Sequence, residues 1–241
     1  MDNAELQRSY FGHLQHDKRL QWQTQDSFVL EREKATIYPL VEGLQALAKK
    51  VGRPLRILES GCGQGVNLIH LRLMGIEELD FNLQGVDFTP EAIEEARKHG
   101  LNVQIANGLA LPFPDQCFDV VFTRDVLHHL ASNEERKTFV AEMKRVTQPG
   151  GFVMAIEPNV LNPMILGLSI LVRAERGIQE ICESKMTHLL PGGTVTRTAP
   201  SAAWRGWYHY RSPLYRNPVL ASATRFFLKR WEYVCQHLPS V

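Results

Sequence analysis

Residues 55–65, LRILESGCGQG, decide the fold of this chain. The run from Leu55 to Leu58 is apolar apart from one arginine, as is typical of a buried parallel strand. Three alternating glycines follow, Gly61, Gly63 and Gly65, and glycine permits the backbone conformations that bring a ligand close to the main chain. The stretch therefore predicts a strand that runs into a ligand-binding turn.

A helix and a second strand are predicted after the turn. Apolar residues recur from Val66 to Leu73, and the first amides of such a helix favour a carboxylate or phosphate in the turn. Residues 83–86 predict a second strand that ends at Asp87, where a dinucleotide fold places its ribose acceptor. The dinucleotide fingerprint itself needs glycine at position 66, which is valine here, so NAD is disfavoured.

The pattern from Glu59 to Gly65 resembles motif I of the class I S-adenosylmethionine-dependent methyltransferases. Further segments look like later parts of that family in the same order, and the match is similar to the ubiquinone and menaquinone biosynthesis type. These segments are residues 86–97, 103–107, 111–115, 118–122, 125–130 and 143–153. Together the motifs cover residues 55–159.

The resemblance implies S-adenosylmethionine as the cofactor. In the family, the acid that corresponds to Glu59 helps to hold the methionine amino group and Asp87 would hold the ribose. Asn107 stands where many members carry Asp beside the adenine amino group. The cofactor-binding residues that the resemblance implies are Glu59, Gly61, Cys62, Gly63, Gly65, Asp87, Phe88, Asn107, Gly108 and Arg124.

Candidate catalytic residues follow the fourth strand. His128 and His129 are the best candidates for a general base, and Asp125 has a similar status, because ligands gather at the carboxyl ends of strands in open α/β sheets. A neutral imidazole accepts a proton near pH 7. Packing of the histidine pair is the alternative. No metal site is predicted, since the four cysteines are scattered and show no ligand spacing.

The fold class expected is α/β, a doubly wound Rossmann-like sheet, mainly parallel, with helices on both faces. Within one domain, residues 1–52 are expected to form a helical cap, 53–159 the S-adenosylmethionine-binding core, and 160–241 the substrate-specificity region and the completion of the sheet. The clearest cap helix is residues 31–50, and Tyr10, Phe11 and Trp22 are candidates to cover the cofactor. Seven strands are expected, or an incomplete set.

Residues 160–241 carry two further predictions. Residues 161–172 are apolar on nearly all sides, which indicates a helix that is buried or that faces an apolar ligand, with burial preferred. Residues 228–238 are interpreted as a helix, after which too few residues remain for the antiparallel hairpin that closes related sheets. An edge strand is therefore expected to be missing or replaced.

Composition sets limits on location and class. A chain of 241 residues with 44% hydrophobic and 22% charged residues is typical of one soluble domain. The N-terminus has no basic-then-apolar leader, and the longest apolar run, 164–172, is too short to span a bilayer. We expect a cytoplasmic protein with no transmembrane segment and with reduced thiols. The oligomeric state is not predicted.

Charge is uneven along the chain. Residues 184–231 contain no Asp or Glu and carry eight Lys and Arg among several aromatic residues, although the whole chain has a net charge of +1. This segment could bind a nucleic acid, an anionic lipid surface or an acidic substrate. Alternatively, its arginines pair with carboxylates elsewhere and its aromatic residues complete the core.

The function expected from the resemblance is methyl transfer to an oxygen, nitrogen or carbon atom of a small, partly apolar molecule. One alternative is an RNA methyltransferase, which the basic segment favours, although the chain lacks an Asn-Pro-Pro-Tyr-type motif that clamps a base. Another is a cofactor-binding interaction protein that has lost catalysis. Nucleic acid is thus a less favoured partner than a small-molecule substrate.

Overall fold

A computed structural model describes residues 27–74, 81–159, 163–181, 186, 188–191, 193–198 and 231–238. Its helices are α1 (Ser27–Val51), α2 (Val66–Leu73), α3 (Pro90–Lys98), α4 (Asn133–Val146) and α5 (Pro163–Leu171). Its strands are β1 (Leu55–Ser60), β2 (Phe81–Asp87), β3 (Val103–Ile105), β4 (Phe118–Arg124), β5 (Thr147–Pro158), β6 (Thr194–Thr198) and β7 (Trp231–His237). Two 3₁₀ helices span Leu127–His129 and Arg173–Glu180.

The seven strands form one sheet in the order β3-β2-β1-β4-β5-β7-β6. Strands β1 to β5 run parallel to one another, whereas β7 is antiparallel to both β5 and β6. The order reverses direction at β1 and β4, which is the switch point where open α/β sheets bind ligands. The predicted doubly wound, mainly parallel sheet is confirmed.

Alternating residues of the central strands build two cores, one on each face of the sheet. Ile57 and Val120 face the side covered by α1, α2 and α3, whereas Leu58 and Val121 face the side covered by α4. These four side chains are fully buried. Complete burial of each contributes about 1.5 to 3 kcal/mol, so the packing fixes the ends of β1 and β4 and the turns that follow them.

Helix α1 belongs to the first of these cores. Its apolar residues recur at helical spacing and are buried, and they are Ile37, Leu40, Val41, Leu44, Leu47 and Ala48. The helix begins at Ser27 and ends at Val51, four residues earlier and one later than the predicted bounds. Tyr10, Phe11 and Trp22, the predicted residues over the cofactor, lie outside the described residues, and the cap over 1–52 stays a prediction.

The predicted C-terminal helix over 228–238 is wrong. Residues Trp231–His237 form β7, which pairs with β5 on one side and with β6 on the other. Aromatic and β-branched residues such as Trp231, Tyr233 and Val234 fit a strand, and hydrogen bonding from two neighbours outweighs any helical preference of so short a run. The expected loss of an edge strand is therefore wrong as well, because β6 and β7 complete the sheet.

The preferred burial of the apolar segment 161–172 does not hold for the side chains that the structure describes there. Helix α5 buries Ser169 but exposes Leu166, Ile170 and Leu171, the last of them to 85%. Its inner contact is polar, since the Gln179 side chain donates to the Ser169 carbonyl at 3.2 Å. An apolar side of α5 is thus open to solvent, close behind the end of β5.

No helix of the described part of the chain is both long enough and apolar enough to cross a membrane.

Candidate functional site

The glycine turn between β1 and α2 is the centre of the candidate site. Gly61, Gly63 and Gly65 all have positive φ, at 79°, 52° and 79°. A side chain at Gly61 would overlap Val126, and one at Gly65 would overlap Leu101, whereas the space beside Gly63 is open. Two of the glycines are therefore required by packing within the protein, and Gly63 is the position where a ligand can approach the main chain.

Asp87 fixes this turn from the end of β2. One carboxylate oxygen accepts a hydrogen bond from the Gly63 amide at 2.8 Å, and the other accepts one from the Thr89 amide at 2.9 Å. Burial raises the pKa of Asp87, against the opposing effect of these hydrogen bonds. Hydrogen bonds from the Thr89 side chain and the Phe88 backbone also lower its pKa, so the segment after β2 holds the carboxylate in place.

Glu59 is a fully buried carboxyl group at the end of β1. Its Oε1 atom accepts a hydrogen bond from the Asn67 side chain at 2.5 Å, while Oε2 has no hydrogen-bond partner among the described residues. Burial raises the pKa of Glu59 to about 8, although Asn67 and Arg124 oppose the change. A buried acid with an unmatched oxygen is well suited to a cationic donor from a ligand.

Asn67 is a site residue that the sequence interpretation missed. Its amide nitrogen donates to Glu59 and its amide oxygen accepts from the Arg124 guanidinium at 2.8 Å, so it joins the end of β1 to the end of β4. Arg124 also lies 3.6 Å from the Asp125 carboxylate. A single polar residue among the apolar residues of the first turn of α2 was the available signal.

The other predicted cofactor residues lie around this centre in different ways. Cys62 is buried against Gly85, and burial raises the pKa of its thiol well above the usual range. Phe88 is partly exposed directly after Asp87. Asn107 is exposed and its side chain accepts from the Leu109 amide at 2.9 Å. Gly108 packs against Phe139, where any side chain would overlap the ring. Their contacts to the cofactor stay predictions.

The chain turns sharply after β4, at the predicted catalytic residues. Asp125 has a positive φ of 59°, which is uncommon outside glycine and often marks functional sites. Glu157, at the end of β5, accepts hydrogen bonds from the amides of Val126 and Leu127 at 3.1 and 2.8 Å. This buried acid, also missed in the sequence, holds the 3₁₀ helix that carries the two histidines.

His128 lies between two carboxylates. Its Nδ1 atom is 2.6 Å from Glu157 Oε2 and its Nε2 atom is 3.3 Å from Glu175 Oε2. Burial lowers the pKa of the imidazole, but Glu157 and Glu175 outweigh that effect and raise it above the ordinary range. The expectation of a neutral imidazole that is ready to accept a proton is therefore wrong for His128, because both ring nitrogens already face carboxylates.

The site fits S-adenosylmethionine. Glu59 Oε2 and Ser60 Oγ are buried oxygens with no hydrogen-bond partner among the described residues, and the first can accept from an α-ammonium group. The open space at Gly63 admits a ligand to the turn, and Asp87 lies beside it at the end of the next strand. The roles of Glu59 toward the methionine portion and of Asp87 toward the ribose stay predictions.

Taken together, the strand order with one antiparallel strand, the glycine turn after β1 and the acid after β2 define a class I methyltransferase domain. Residues 58–155 match the family model described as a methyltransferase domain. The chain therefore contains a class I, S-adenosylmethionine-dependent methyltransferase domain. The narrower likeness to the ubiquinone and menaquinone type stays a prediction.

Individual relatives agree at the level of the domain. The chain is 34% identical over 98 residues to the probable tRNA methyltransferase 9B of Mus musculus, which is 41% of this chain and 20% of that protein. It is 24% identical over 112 residues to ajmaline N-methyltransferase of Rauvolfia serpentina, covering 43% and 36% of the two chains. The chain thus spans well under half the length of these relatives.

A solved structure shows the same fold over nearly the whole chain. The structure of an S-adenosylmethionine-dependent methyltransferase from Aquifex aeolicus superposes with a TM-score of 0.51 at 19% identity, and covers 95% of this chain and 96% of that one.

Proposed function

We propose that this chain transfers the methyl group of S-adenosylmethionine to a small, partly apolar molecule. The observation that carries the proposal is the buried Glu59 Oε2, which has no hydrogen-bond partner in the described part of the chain and lies beside a glycine turn with open space at Gly63. When bound, the cofactor would supply a sulfonium methyl group whose carbon a nucleophilic oxygen, nitrogen or carbon atom can attack, with S-adenosylhomocysteine as the leaving group. The residues of the chain hold and orient the two reactants.

Binding and orientation account for most of the expected rate. Glu59 pairs with the methionine ammonium group, Asp87 accepts from the ribose, and the Gly63 turn lets the main chain approach the ligand. Well-oriented reactants gain on the order of 7 to 11 kcal/mol from proximity, whereas a general base adds about a hundredfold to ten-thousandfold in rate. The proposal therefore does not depend on a base.

Asp125 and His129 are the remaining candidates for proton transfer. Both are half-buried in the segment after β4, and Asp125 is partly open to solvent beside Arg124. We expect Asp125→Asn to lower kcat more than it raises KM if Asp125 accepts the acceptor's proton.

The open apolar side of α5 supports a partly apolar acceptor. Leu166, Ile170 and Leu171 are exposed, and α5 follows β5 at the same edge of the sheet as the glycine turn. Ajmaline N-methyltransferase, by its name, acts on a small molecule, and its likeness to this chain is in keeping with such an acceptor.

A pair of glycine substitutions tests the cofactor site. Gly63 and Gly100 both have positive φ and open space around them, so Gly63→Ala and Gly100→Ala each cost about 1 to 2 kcal/mol of backbone strain. By calorimetric titration, we expect Gly63→Ala to weaken S-adenosylhomocysteine binding at least tenfold and Gly100→Ala to leave it unchanged. Equal effects, or tight NAD binding by the wild type, would contradict the proposed cofactor.

A methyl-transfer screen tests the acceptor. The protein and methyl-labelled cofactor are incubated with cell extract, and the labelled product is identified by mass. A labelled small molecule supports the proposal. Binding of S-adenosylhomocysteine without any transfer would instead favour the inactive, cofactor-binding interaction protein.

An RNA acceptor is the second candidate. One observation favours it, the 34% identity to a relative named as a probable tRNA methyltransferase. The basic segment 184–231 gives it a means of binding, although most of that segment lies outside the described residues. Labelling of tRNA, with RNA affinity that falls steeply as salt rises, would support this acceptor over a small molecule.

A further inference from the structure

The two 3₁₀ helices bring a histidine pair and an acid together. His128, His129 and Glu175 each offer one ligand atom, and these atoms all lie within 4.8 Å of one another. His128 Nε2 is 3.3 Å from Glu175 Oε2. Ligand atoms that share a metal ion at about 2.0 to 2.2 Å lie about 3 to 3.5 Å apart in neighbouring positions, so the most widely spaced pair has to close by up to about 1.5 Å to enclose an ion.

The site has a rigid frame. The Gly177 backbone lies so close to the His128 carbonyl that any side chain at Gly177 would overlap it. The buried Arg136 joins the two helices, because it donates to the Leu127 carbonyl and to the Glu180 carboxylate, each at 3.0 Å. These contacts hold the 3₁₀ helix of His128 against the 3₁₀ helix of Glu175, and they do not involve the ligand atoms of either residue.

Glu157 gives His128 the orientation of a metal ligand. It lies 2.6 Å from Nδ1 and is itself fixed by two backbone amides. An acceptor on Nδ1 places the imidazole proton there and leaves the Nε2 lone pair for a metal, as in carboxylate–histidine–metal arrangements. The same acid that positions the 3₁₀ helix therefore also sets the tautomer.

Charge favours a cation between these groups. The Glu157 side chain is fully buried, the Glu175 side chain is 13% exposed, and Asp125 adds further negative potential. Two acids around one imidazole need a positive charge, which is either a proton on His128 or a metal ion. His129 favours the metal ion over the proton. Its ring centroid lies 3.8 Å from that of His128, and it adds a third possible ligand that an ion pair between His128 and the acids does not need.

We propose that His128, His129 and Glu175 bind a divalent transition-metal ion, with Glu157 holding His128 in place. Two imidazoles and one carboxylate suit zinc and its first-row neighbours, whereas magnesium and calcium prefer oxygen ligands throughout. Three protein ligands leave at least one coordination position open, and a metal ion on His129 would leave Asp125 as the candidate for proton transfer. The sequence prediction of no metal considered only cysteine spacing, and Glu175 lies 46 residues beyond His129 in a region without a motif.

The test is calorimetric titration of the chelator-treated full chain with Zn²⁺, and with Mg²⁺ as a comparison. We expect one Zn²⁺ per chain and no comparable Mg²⁺ binding. His129→Ala and Glu175→Gln should each weaken Zn²⁺ binding at least tenfold, the order of effect seen for altered metal shells. The control is His99→Ala, which removes an exposed histidine that lies 3.6 Å from Glu95, and it should change nothing.

Several outcomes would overturn the proposal. If the wild-type protein binds no Zn²⁺, the cluster is an ion pair and not a metal site. If Glu175→Gln binds Zn²⁺ with unchanged affinity, the ion binds elsewhere in the protein. Preference for Mg²⁺ would refute the assigned ligand chemistry. The two half-buried ligands are tested in place of His128, whose loss could unfold the turn. Replacing Zn²⁺ with Co²⁺ gives a visible absorption band that should change in Glu175→Gln. Titration with S-adenosylhomocysteine in parallel keeps a failed metal site distinct from a failed cofactor site.

Discussion

Binding of S-adenosylhomocysteine should depend on pH through Glu59. The carboxyl group has a pKa of about 8 in the ligand-free protein, because burial disfavours its charged form. Since Oε1 already accepts from Asn67, the proton of the neutral acid resides on Oε2, the atom that must receive the ligand's ammonium group. An ammonium group has only donors, so Glu59 must lose its proton before the pair can form.

The size of the effect follows from the pKa. Each pH unit well below 8 costs about 1.4 kcal/mol for ionising Glu59, or tenfold in affinity. Because half of the group is still protonated at pH 8, the dissociation constant should fall by about fiftyfold from pH 6 to pH 8. Calorimetry in two buffers of different ionisation enthalpy counts the protons. At pH 6 we expect the release of nearly one proton for each ligand bound.

Variants separate Glu59 from other titrating groups. Glu59→Gln should bind weakly and nearly independently of pH over this range, whereas Glu94→Gln, a change at an exposed acid on α3, should behave as the wild type does. Affinity that stays flat from pH 6 to 8 in the wild type, with no proton released, would refute the role of Glu59.

The same shift has a consequence for the stability of the ligand-free protein. The folded state holds the Glu59 proton more tightly than the unfolded chain, whose pKa is near the ordinary 4.5. The protonated Glu59 therefore contributes its full share of the free energy of unfolding below about pH 4.5. This contribution, about 5 kcal/mol in all, is lost as the pH rises through 8. Denaturant unfolding should show this loss in the wild type and not in Glu59→Gln.

Three further substitutions give separable results. Asp87→Ala should weaken S-adenosylhomocysteine binding at least tenfold and lower the free energy of unfolding by about 1 to 3 kcal/mol, because it leaves the Gly63 and Thr89 amides without their acceptor. Asp115→Ala, which changes an exposed acid, is the control. Equal losses in the two variants would contradict the role assigned to Asp87. Arg136→Met should lower the free energy of unfolding by about 3 kcal/mol, because a buried guanidinium that donates to four acceptors is lost. An unchanged midpoint of denaturant unfolding would contradict this prediction. Burial opposes a low pKa at Asp119, but hydrogen bonds from Arg53 and Arg56 outweigh it and lower the pKa of this carboxyl group. The stability that Asp119 contributes is therefore present above pH 3.8 and is lost as the pH falls further. Asp119→Asn should reduce this loss of stability in acid and leave cofactor affinity unchanged, because Asp119 lies at the end of β4 that is far from the site.

The half of the fold around β1 and β4 was predictable because its signals are local. The helix Val66–Leu73 was predicted with both of its observed bounds, since Gly65 sets its start and the apolar period runs through to Leu73. Asp87 was predicted at the end of its strand for a similar reason. In each case one short stretch contains both the element and the residue that ends it, so no distant contact decides the outcome.

The errors lie where distant contacts decide. Trp231–His237 is a strand because β5 and β6 supply hydrogen bonds from both sides, and a seven-residue run contains no sign of those partners. Likewise, the apolar composition of α5 predicts burial, but burial depends on what covers the helix, and its inner contact is made through Ser169 and Gln179.

For the histidine pair, the resemblance of motifs predicted the position in the fold correctly but not the protonation of His128. Position after β4 correctly brought His128 to the ligand-binding edge of the sheet, but the proton affinity of an imidazole depends on its neighbours. Those neighbours, Glu157 and Glu175, come from the end of β5 and from a 3₁₀ helix in the part of the chain without motifs. A catalytic base needs a free lone pair facing the substrate, and here both nitrogens face acids. The same arrangement that argues against a base at His128 supplies the orientation and the negative charge that a metal ligand requires.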